Sequence, residues 1–304
     1  WETRTAQSIK SLRSPYAFVL TGTPMENKID ELFSIVEFVD DRRLGPAFKF
    51  LADHTVFDED SKTRIIGYKD LDKVRKKLSP ILIRRSKPEV MLQLPERTDN
   101  NCIVPMTPQQ TAPYLEQQET VARIVAKWRR QKFLTELDHR RLLCALANMR
   151  MLCDSTYLFD KETNFSPKLD ELKQIVAEII EEGRKTVIFS QWTRMLEKVG
   201  EMLKELGVGY VYLHGGVPSK KRSELLRAFT EDDETMVFLS SDAGGVGLNL
   251  QAGATVINVE LPWNPAVLEQ RIGRVHRMGQ KRNVHVINMI TEGSIEERIY
   301  NLIR

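Results

Sequence analysis

The sequence predicts an α/β protein in which a parallel sheet covered by helices follows a helix-rich stretch. From residue 166 onward, short apolar segments alternate with amphipathic segments of helical periodicity, the pattern of parallel strands covered on both faces. Before it, the segment from Thr107 to about Leu158 has few glycines and many good helix formers, which favours long helices. We expect three parts: residues 1–43, helical insertions and linker over 44–165, and the sheet over 166–304.

The N-terminal stretch predicts one strand and one helix. Tyr16–Leu20 is short and apolar and predicts a buried strand. A helix follows, with Asn27 as its N-cap, because apolar residues recur on one helical face. Those residues are Ile29, Leu32, Phe33, Val36 and Val39. The pattern from about Leu44 to Lys87 is irregular and basic, and Cys102–Pro105 predicts a brief strand.

The part that holds the sheet starts with a predicted helix over Lys168–Glu182, and Gly183 follows it as a typical helix-ending residue. The strands predicted after it are Thr186–Ser190, Tyr210–Leu213, Met236–Ser240, Thr255–Val259 and Val284–Ile290. The helices predicted between them are Met195–Leu206, Ser219–Phe229 and Pro265–Val275. A last helix is predicted to begin at a capping box of Ser294 and Glu297.

Composition and charge narrow the class of protein without giving a function. The chain is 41% hydrophobic and 29% charged, which is ordinary for a globular protein, and its net charge of +3 does not by itself indicate nucleic acid. The stretches 73–87 and 270–285 carry basic residues and no acidic ones. Each is either a solvated face or an anion contact. No apolar run reaches the ~18 residues of a membrane span and no signal peptide is recognisable, so we expect no membrane partner.

The cysteines indicate an intracellular chain without a disulfide framework. Cys102, Cys144 and Cys153 are odd in number and lack a CxxC spacing, which argues against disulfides and against a zinc site. We therefore expect free thiols in a reducing compartment and no metal site. Because the first residue is Trp1 rather than Met, we expect the N-terminus to be a truncation boundary.

Polar and glycine-rich segments follow the predicted strands. They are Ser190–Thr193, His214–Val217, Ser241–Leu250 and Glu260–Pro265. In parallel sheets, ligands bind at the carboxyl ends of the strands. Three glycines in four positions after Asp242 let the backbone approach a phosphate, or else form a tight structural turn. Trp263 lies between two prolines and either caps the sheet or contacts a partner.

The segment Gln270–Gln280 carries the most specific pattern. Arg271, Arg274 and Arg277 recur every three residues, which on a helix places them along one slowly drifting face. Such a row is costly unless anions neutralise it, and guanidinium groups bind phosphate in bidentate fashion. In phosphoryl transfer, an arginine finger stabilises charge on the transferred group. The alternative is a solvated basic helix end.

In chain order, these segments resemble the motifs of the SWI/SNF-like family of superfamily-two DNA translocases. Leu20–Asn27 resembles motif III, Val187–Trp192 motif IV, Ser241–Asn249 motif V with the Pro-Trp-Asn-Pro that follows it in that family, and Gln270–Gln280 motif VI. Arg84–Lys87 and Leu94–Pro95 also match the family. The resemblance covers nearly the whole chain, from residue 20 to residue 280, and implies the C-terminal half of the motor.

The resemblance implies a motor of two RecA-like lobes, with ATP between them and double-stranded DNA across both. Residues 1–43 would be the remnant of the first lobe and 166–304 the second lobe. By position in motif VI, Arg274 and Arg277 would be arginine fingers and Gln270 would organise the interface between the lobes. Gly247 and Asn249 of motif V would lie near the nucleotide. ATP and Mg²⁺ would be the cofactors of the parent protein, with none bound to this chain alone.

The same resemblance implies which residues would contact DNA and which would couple DNA binding to the state of the nucleotide. Ser190, Gln191 and Ser241 would contact the phosphate backbone, and Trp263 would approach the DNA. The residues that would link nucleotide state to DNA grip are Thr21, Gly22 and Thr23. The partners implied are double-stranded DNA, the upstream RecA-like lobe and, more widely, a protein–DNA complex. The location implied is the cytoplasm or nucleoid of a prokaryote, or the nucleus of a eukaryote.

The sequence departs from the family pattern in lacking both GxxxxGK[ST] and Asp-Glu-x-His. The phosphate cradle and the Mg²⁺-holding acid of such motors are therefore expected upstream of Trp1, and the chain alone is expected to be inactive. A non-enzymatic DNA-binding scaffold and a strand-separating or RNA-directed helicase are the alternatives. Intact Gln270, Arg274 and Arg277 argue against the scaffold, and Gly244-Gly245 with Pro-Trp-Asn-Pro favours the SWI/SNF-like branch.

Overall fold

The computed structural model describes residues 3–12, 14–22, 25, 28–57, 65–85, 94–242 and 247–303. The chain divides into a first unit of residues 1–92 and a second unit of residues 93–304. Each unit has its own apolar core.

In its described residues, the first unit consists of short helices and one pair of strands. They are α1 (Arg4–Lys10), α2 (Ile29–Val39), α3 (Ala47–His54), β1 (Thr55–Phe57), β2 (Ile65–Tyr68) and α4 (Leu71–Leu78), with β1 and β2 antiparallel. The predicted apolar face of α2 packs inward through Ile29, Phe33 and Val36. The predicted N-cap Asn27 lies outside the described residues, and Lys28 precedes the helix without a side-chain capping bond.

The strand predicted at Tyr16–Leu20 does not form. Phe18 is 87% exposed and Leu20 is 97% exposed, and the segment has no regular secondary structure. A strand is stabilised by hydrogen bonds to a neighbouring strand, and in the described part of this unit β1 and β2 pair only with each other. Apolar composition alone was therefore insufficient to predict a buried strand.

The predicted parallel sheet is confirmed in the second unit. Its strands are β3 (Arg97–Val104), β4 (Thr186–Phe189), β5 (Gly209–Leu213), β6 (Thr235–Ser240), β7 (Thr255–Asn258) and β8 (Val284–Thr291). They lie in the order β3-β8-β7-β4-β6-β5, and every neighbouring pair is parallel. The five strands predicted after residue 166 are all present, with ends that differ by one residue at most.

Helices cover both faces of this sheet. They are α5 (Pro108–Gln131), α6 (Glu136–Asp154), α7 (Thr156–Asp160), α8 (Pro167–Glu181), α9 (Thr193–Glu205), α10 (Ser219–Glu231), α11 (Pro265–Ile272) and α12 (Ile295–Ile303). Side chains alternate along β4, so Ile188 packs with α8 and α9 on one face, while Val187 and Phe189 pack with α10 and α11 on the other. None of the helices in the described residues is long and apolar enough to cross a membrane.

The division into units does not coincide with either predicted boundary, at residue 43 or at residue 165. Residues 97–104, predicted as linker and a brief strand, form the whole of β3 and pair with β8 from Arg97–Val284 to Val104–Thr291. Helix α6 packs Leu152 and Cys153 into a core shared with β8 and α12. Backbone pairing and this shared core therefore join residues 93–165 to the sheet.

The predicted helices are all present, with ends that differ by up to three residues, and one predicted cap does not form. Helix α11 ends at Ile272 rather than Val275, because the chain continues in turns from Gly273. At the start of α12, the Ser294 hydroxyl accepts a hydrogen bond from the Glu296 N–H at 3.0 Å. The Glu297 carboxylate accepts from the Gly293 N–H, not from that of Ser294, so the reciprocal capping box is not formed.

Candidate functional site

The carboxyl ends of β4, β6 and β7 lie level at one edge of the sheet. Phe189 is paired with Ser240 on one side and with Asn258 on the other. The chain segments that follow these strands, and the segment after α11, therefore emerge together, as the sequence predicted. They contain most of the candidate residues, although residues 243–246 lie outside the described part of the chain.

Arg271, the first arginine of the row, is buried and neutralised by its own chain. Its Nε and Nη2 donate to the two carboxylate oxygens of Asp242 at 2.6 and 2.9 Å. Its Nη1 donates to the Glu260 backbone oxygen at 3.0 Å, and its Nη2 lies 3.3 Å from the Glu260 carboxylate. Burial alone would lower the pKa of Arg271, but the bonds and charges of Asp242 and Glu260 raise it. Arg271 is thus a structural cation.

Arg274 and Arg277 remain available to an external anion. Arg274 is half-buried and Arg277 is exposed. Burial and the adjacent charge of Arg277 lower the pKa of Arg274. The Arg277 Nη1 lies 3.5 Å from the Leu248 backbone oxygen, and in the described residues neither guanidinium forms an ion pair with a carboxylate. The three arginines therefore do not share one face, because the helix ends between the first and the second.

The motif V segment is tied to the arginine segment by its backbone. The Leu250 N–H donates to the Arg274 backbone oxygen at 2.9 Å. Gly247 has a φ of +78°, a conformation that favours glycine. Asn249 is exposed, and its side-chain oxygen and nitrogen bond to the N–H and side chain of Gln251. Gln270 is half-buried on the last turn of α11.

Sequence reasoning missed Gln280 as the residue that joins these two segments. Its buried side-chain nitrogen lies 2.9, 3.1 and 3.3 Å from the backbone oxygens of Gly253, Gln251 and Val275. Its side-chain oxygen accepts from two backbone N–H groups, at 2.9 and 3.0 Å, of the residues that follow it. A glutamine beside a glycine carries no sequence signal for such a role.

The nearby His276 is also buried, and its Nε2 lies 2.9 Å from the Pro95 oxygen.

The two serines predicted to contact DNA phosphates are buried. Ser190 is fully buried, and its hydroxyl accepts from the Trp192 N–H at 3.1 Å. Ser241 is 4% exposed, and its N–H donates to the Leu213 oxygen at 3.1 Å. Neither hydroxyl is presented to solvent in this structure. The predicted DNA contacts of these serines stay predictions that require a local rearrangement.

Gln191 and Trp263 form the more exposed part of this edge, and both contact Arg150 of α6. The Gln191 N–H donates to the buried Glu260 carboxylate at 2.6 Å. Burial raises the pKa of Glu260 even though Arg271 opposes that shift. Trp263 is 49% exposed, so it does not cap the sheet as a buried residue. The Arg150 guanidinium lies over its ring at 5.6 Å and donates to the Gln191 side-chain oxygen at 3.0 Å.

The coupling residues lie in the first unit. Thr21 and Gly22 are exposed, and Thr23 lies outside the described residues, so their predicted coupling role stays a prediction. Across the described ranges, no group of three or more His, Cys, Asp or Glu side chains is placed to hold a metal ion.

Two family profiles match the chain. The profile described as "SNF2-related domain" matches residues 2–158, and the one described as "Helicase conserved C-terminal domain" matches residues 167–279. Together they cover almost the whole sequence in the order expected from the motifs.

Relatives and solved structures agree with these profiles. The human "SWI/SNF-related matrix-associated actin-dependent regulator of chromatin subfamily A member 1" is 30% identical over 98% of this chain. The "Chromodomain-helicase-DNA-binding protein 1-like" of Danio rerio is 31% identical over 97%. The chain spans 29% of the length of each relative.

Among solved structures, the Sulfolobus solfataricus SWI2/SNF2 ATPase core in complex with dsDNA is 28% identical, with a TM-score of 0.58. The match covers 99% of this chain and 63% of that one. This likeness confirms the RecA-like fold that the sequence motifs implied.

Proposed function

The chain belongs to the SNF2-related family, and we propose that it is the C-terminal half of an ATP-dependent double-stranded-DNA translocase motor of the SWI/SNF-like type. The observation that carries this proposal is the pair of guanidinium groups of Arg274 and Arg277. Burial and the neighbouring charge of Arg277 together lower the pKa of Arg274. Two such cations without carboxylate partners in the described residues are stabilised by an external polyanion.

The arginine pair fits the phosphates of ATP as that polyanion. ATP, when bound, supplies the phosphoryl group whose transfer to water drives such motors. Arg274 and Arg277 would stabilise the negative charge that develops during that transfer, as arginine fingers do. Gln270 would help to orient them, and Gly247 and Asn249 would lie beside the nucleotide. The upstream lobe would hold Mg²⁺, because in such motors the residues that bind it belong to motifs that are not present in this sequence.

Double-stranded DNA is the polymer on which the motor would act. The similar Sulfolobus solfataricus core was solved with double-stranded DNA, and Gln191 and the half-exposed Trp263 lie together at one edge of the sheet. An amide and an aromatic ring contact backbone and groove shape without reading sequence, which suits stepping along any sequence. We propose that Ser190 and Ser241 join these contacts, and that Thr21–Thr23 couple them to nucleotide state.

The test is ATP hydrolysis by a protein that contains this chain and its upstream lobe, with and without duplex DNA. Arg274→Ala and Arg277→Ala should each lower kcat on the order of 10³-fold or more, because a finger acts on the transition state. ATP binding should fall less, since most binding contacts belong to the other lobe. Arg227→Ala is the matched control, because Arg227 is exposed on α10 and paired with Glu231.

A near-normal kcat for the combined Arg274→Ala and Arg277→Ala variant would reject the finger assignment. Absence of DNA-stimulated ATP hydrolysis in the unsubstituted protein would favour a non-enzymatic scaffold. Appearance of separated single strands during ATP hydrolysis on duplex DNA would instead identify a strand-separating helicase.

A further inference from the structure

Arg150 lies on α6, yet its side chain reaches two loops of the sheet. It is 5% exposed. Its Nη1 donates to the Gln191 side-chain oxygen at 3.0 Å, and its Nη2 donates to the Leu261 backbone oxygen at 2.7 Å. The same guanidinium lies 5.6 Å from the centre of the Trp263 ring. One side chain thus links a helix to the half-buried Gln191 and the half-exposed Trp263.

Packing alone does not account for an arginine at this position. Unlike Arg271, Arg150 forms no ion pair with a carboxylate of the described residues, and its Nε is buried without a hydrogen-bond partner. A buried cation without a counter-charge is costly, and an apolar side chain of similar volume often serves stability as well. Within the described residues, Arg150 is therefore held by its two hydrogen bonds and by the Trp263 ring, not by an ion pair.

The contacts of Arg150 fix the orientation of the Gln191 amide. A guanidinium has donors and no acceptor, so the Gln191 oxygen must face Arg150. The amide nitrogen then faces away from Arg150, and it is a buried donor without a partner within the described structure. This arrangement leaves an oriented donor without an acceptor, next to a guanidinium. A phosphate oxygen of a DNA backbone is such an acceptor, and it would reach this donor after a local rearrangement of the loop, as at Ser190.

Arg150 also holds one face of the Trp263 ring. The backbone at Trp263 is set by the start of α11, where the Asn264 side chain accepts from the Ala266 N–H at 2.9 Å. That bond fixes the chain but not the indole, half of which is in solvent. A cation over the ring face restricts the indole through cation–π attraction.

We propose that Arg150 is a positioning residue that holds Gln191 and Trp263 as one preorganised DNA-binding edge and adds positive charge behind it. The proposal rests on the proposed function, because it takes double-stranded DNA as the ligand of that edge. Preorganisation lowers the ordering cost of binding, so the loss of Arg150 weakens DNA binding even though Arg150 itself is nearly inaccessible.

The test titrates a linear, blunt-ended DNA duplex into a protein that contains this chain and its upstream lobe, and measures stimulated ATP hydrolysis. Arg150→Lys keeps the charge but loses the two-pronged contact, and Arg150→Met keeps the length but loses charge and donors. Both should raise the DNA concentration for half-maximal stimulation roughly 3- to 30-fold, the range of a cation–π contact. The kcat at saturating DNA should change less. Arg140→Lys, exposed on the same helix and paired with Glu136, should alter neither value.

A cycle with Trp263→Ala separates positioning from a structural role. If Arg150 acts through Trp263, the combined Arg150→Met and Trp263→Ala variant should show less than the product of the two single effects. Arg150→Met also lowers the salt dependence of DNA binding only if Arg150 contributes charge to that surface. Melting temperatures on every variant identify any that do not fold. Arg150→Met is expected to fold, because it replaces a buried cation without an ion pair in the described residues by an apolar side chain of similar length.

The proposal would be overturned if folded Arg150 variants needed the same DNA concentration for half-maximal stimulation as the wild type. It would also be overturned if the fold-change of the combined variant equalled the product of the fold-changes of Arg150→Met and Trp263→Ala. A Trp263→Ala variant that responds normally to DNA would remove the DNA-contact assignment and the positioning role with it. Failure of the proposed function is a different result, namely an unchanged kcat when Arg274 and Arg277 are replaced.

Discussion

At the scale of single residues, neighbours rather than spacing decide what each arginine does. The periodicity of the sequence predicted a row of Arg271, Arg274 and Arg277. It did not predict that Arg271 would be buried and paired with carboxylates of the same chain. The carboxylates of Asp242 and Glu260 come from the ends of β6 and β7, far from the arginines in sequence. Only the sheet order brings these charges together, so a pattern of basic residues alone leaves the structural and the functional arginine indistinguishable.

Arg271→Ala should lower the free energy of unfolding by about 3–5 kcal/mol, because it leaves Asp242 and the fully buried Glu260 without their counter-charge. Urea unfolding of the chain measures this change. Arg227→Ala, which removes an exposed ion pair with Glu231, should cost roughly 0–1 kcal/mol. Equal effects of the two substitutions would contradict the structural role of Arg271.

At the scale of elements, the regular strands and helices were predicted well and the connections were not. Short apolar segments that alternate with amphipathic segments along the chain identified β4 to β8. They are apolar because helices cover both faces of these strands. The same reasoning reduced β3 to a fragment, since Asp99, Asn100 and Asn101 have low strand propensity. Pairing with β8 overrides that propensity. The junction at Gln280 likewise depends on three carbonyls from other turns, which no local pattern reveals.

Gln280→Glu should destabilise the loops on both sides of the candidate nucleotide site. The substitution preserves shape but removes the donor that serves the backbone oxygens of Gly253, Gln251 and Val275. Leaving buried acceptors unsatisfied costs about 1–3 kcal/mol. Thermal or urea unfolding gives the global cost, and hydrogen exchange of the Leu250 amide, which bonds to Arg274, gives the local one. Gln174→Glu on the exposed face of α8 is the isosteric control. An equal response from it would contradict the role of Gln280 in joining the two segments.

At the scale of the whole molecule, buried charge joins the helical region to the sheet. The Lys168 ammonium of α8 is fully enclosed and donates to Asp154 of α6 at 2.8 Å, to Glu296 of α12 at 2.7 Å and to the Val259 oxygen at 2.7 Å. Burial alone would lower the pKa of Lys168, but the charges of Asp154 and Glu296 raise it, so the ammonium stays charged. A sequence boundary at residue 165 would separate Lys168 from one of its two counter-charges.

A fragment of residues 93–304 should therefore unfold in one cooperative transition, and a fragment of residues 166–304 should not. The shorter fragment lacks β3 and Asp154, and it exposes the face of β8 and α12 that packs against Leu152 and Cys153. Circular dichroism during heating and binding of an apolar dye compare the two. A sharp transition at the same temperature in both fragments, without dye binding, would show that residues 93–165 are dispensable.

The paired strands β3 and β8 are synthesised at different times on the ribosome. Arg97 pairs with Val284, which lies 187 residues further along the chain. At translation rates of about 5–20 residues per second, the first-made strand of the sheet waits roughly 10 to 40 seconds for the last. An unpaired apolar strand would invite aggregation during that interval, and polar residues on an edge discourage it. The polar residues of β3, which make it hard to recognise as a strand in the sequence, are therefore expected to discourage aggregation until β8 has been synthesised.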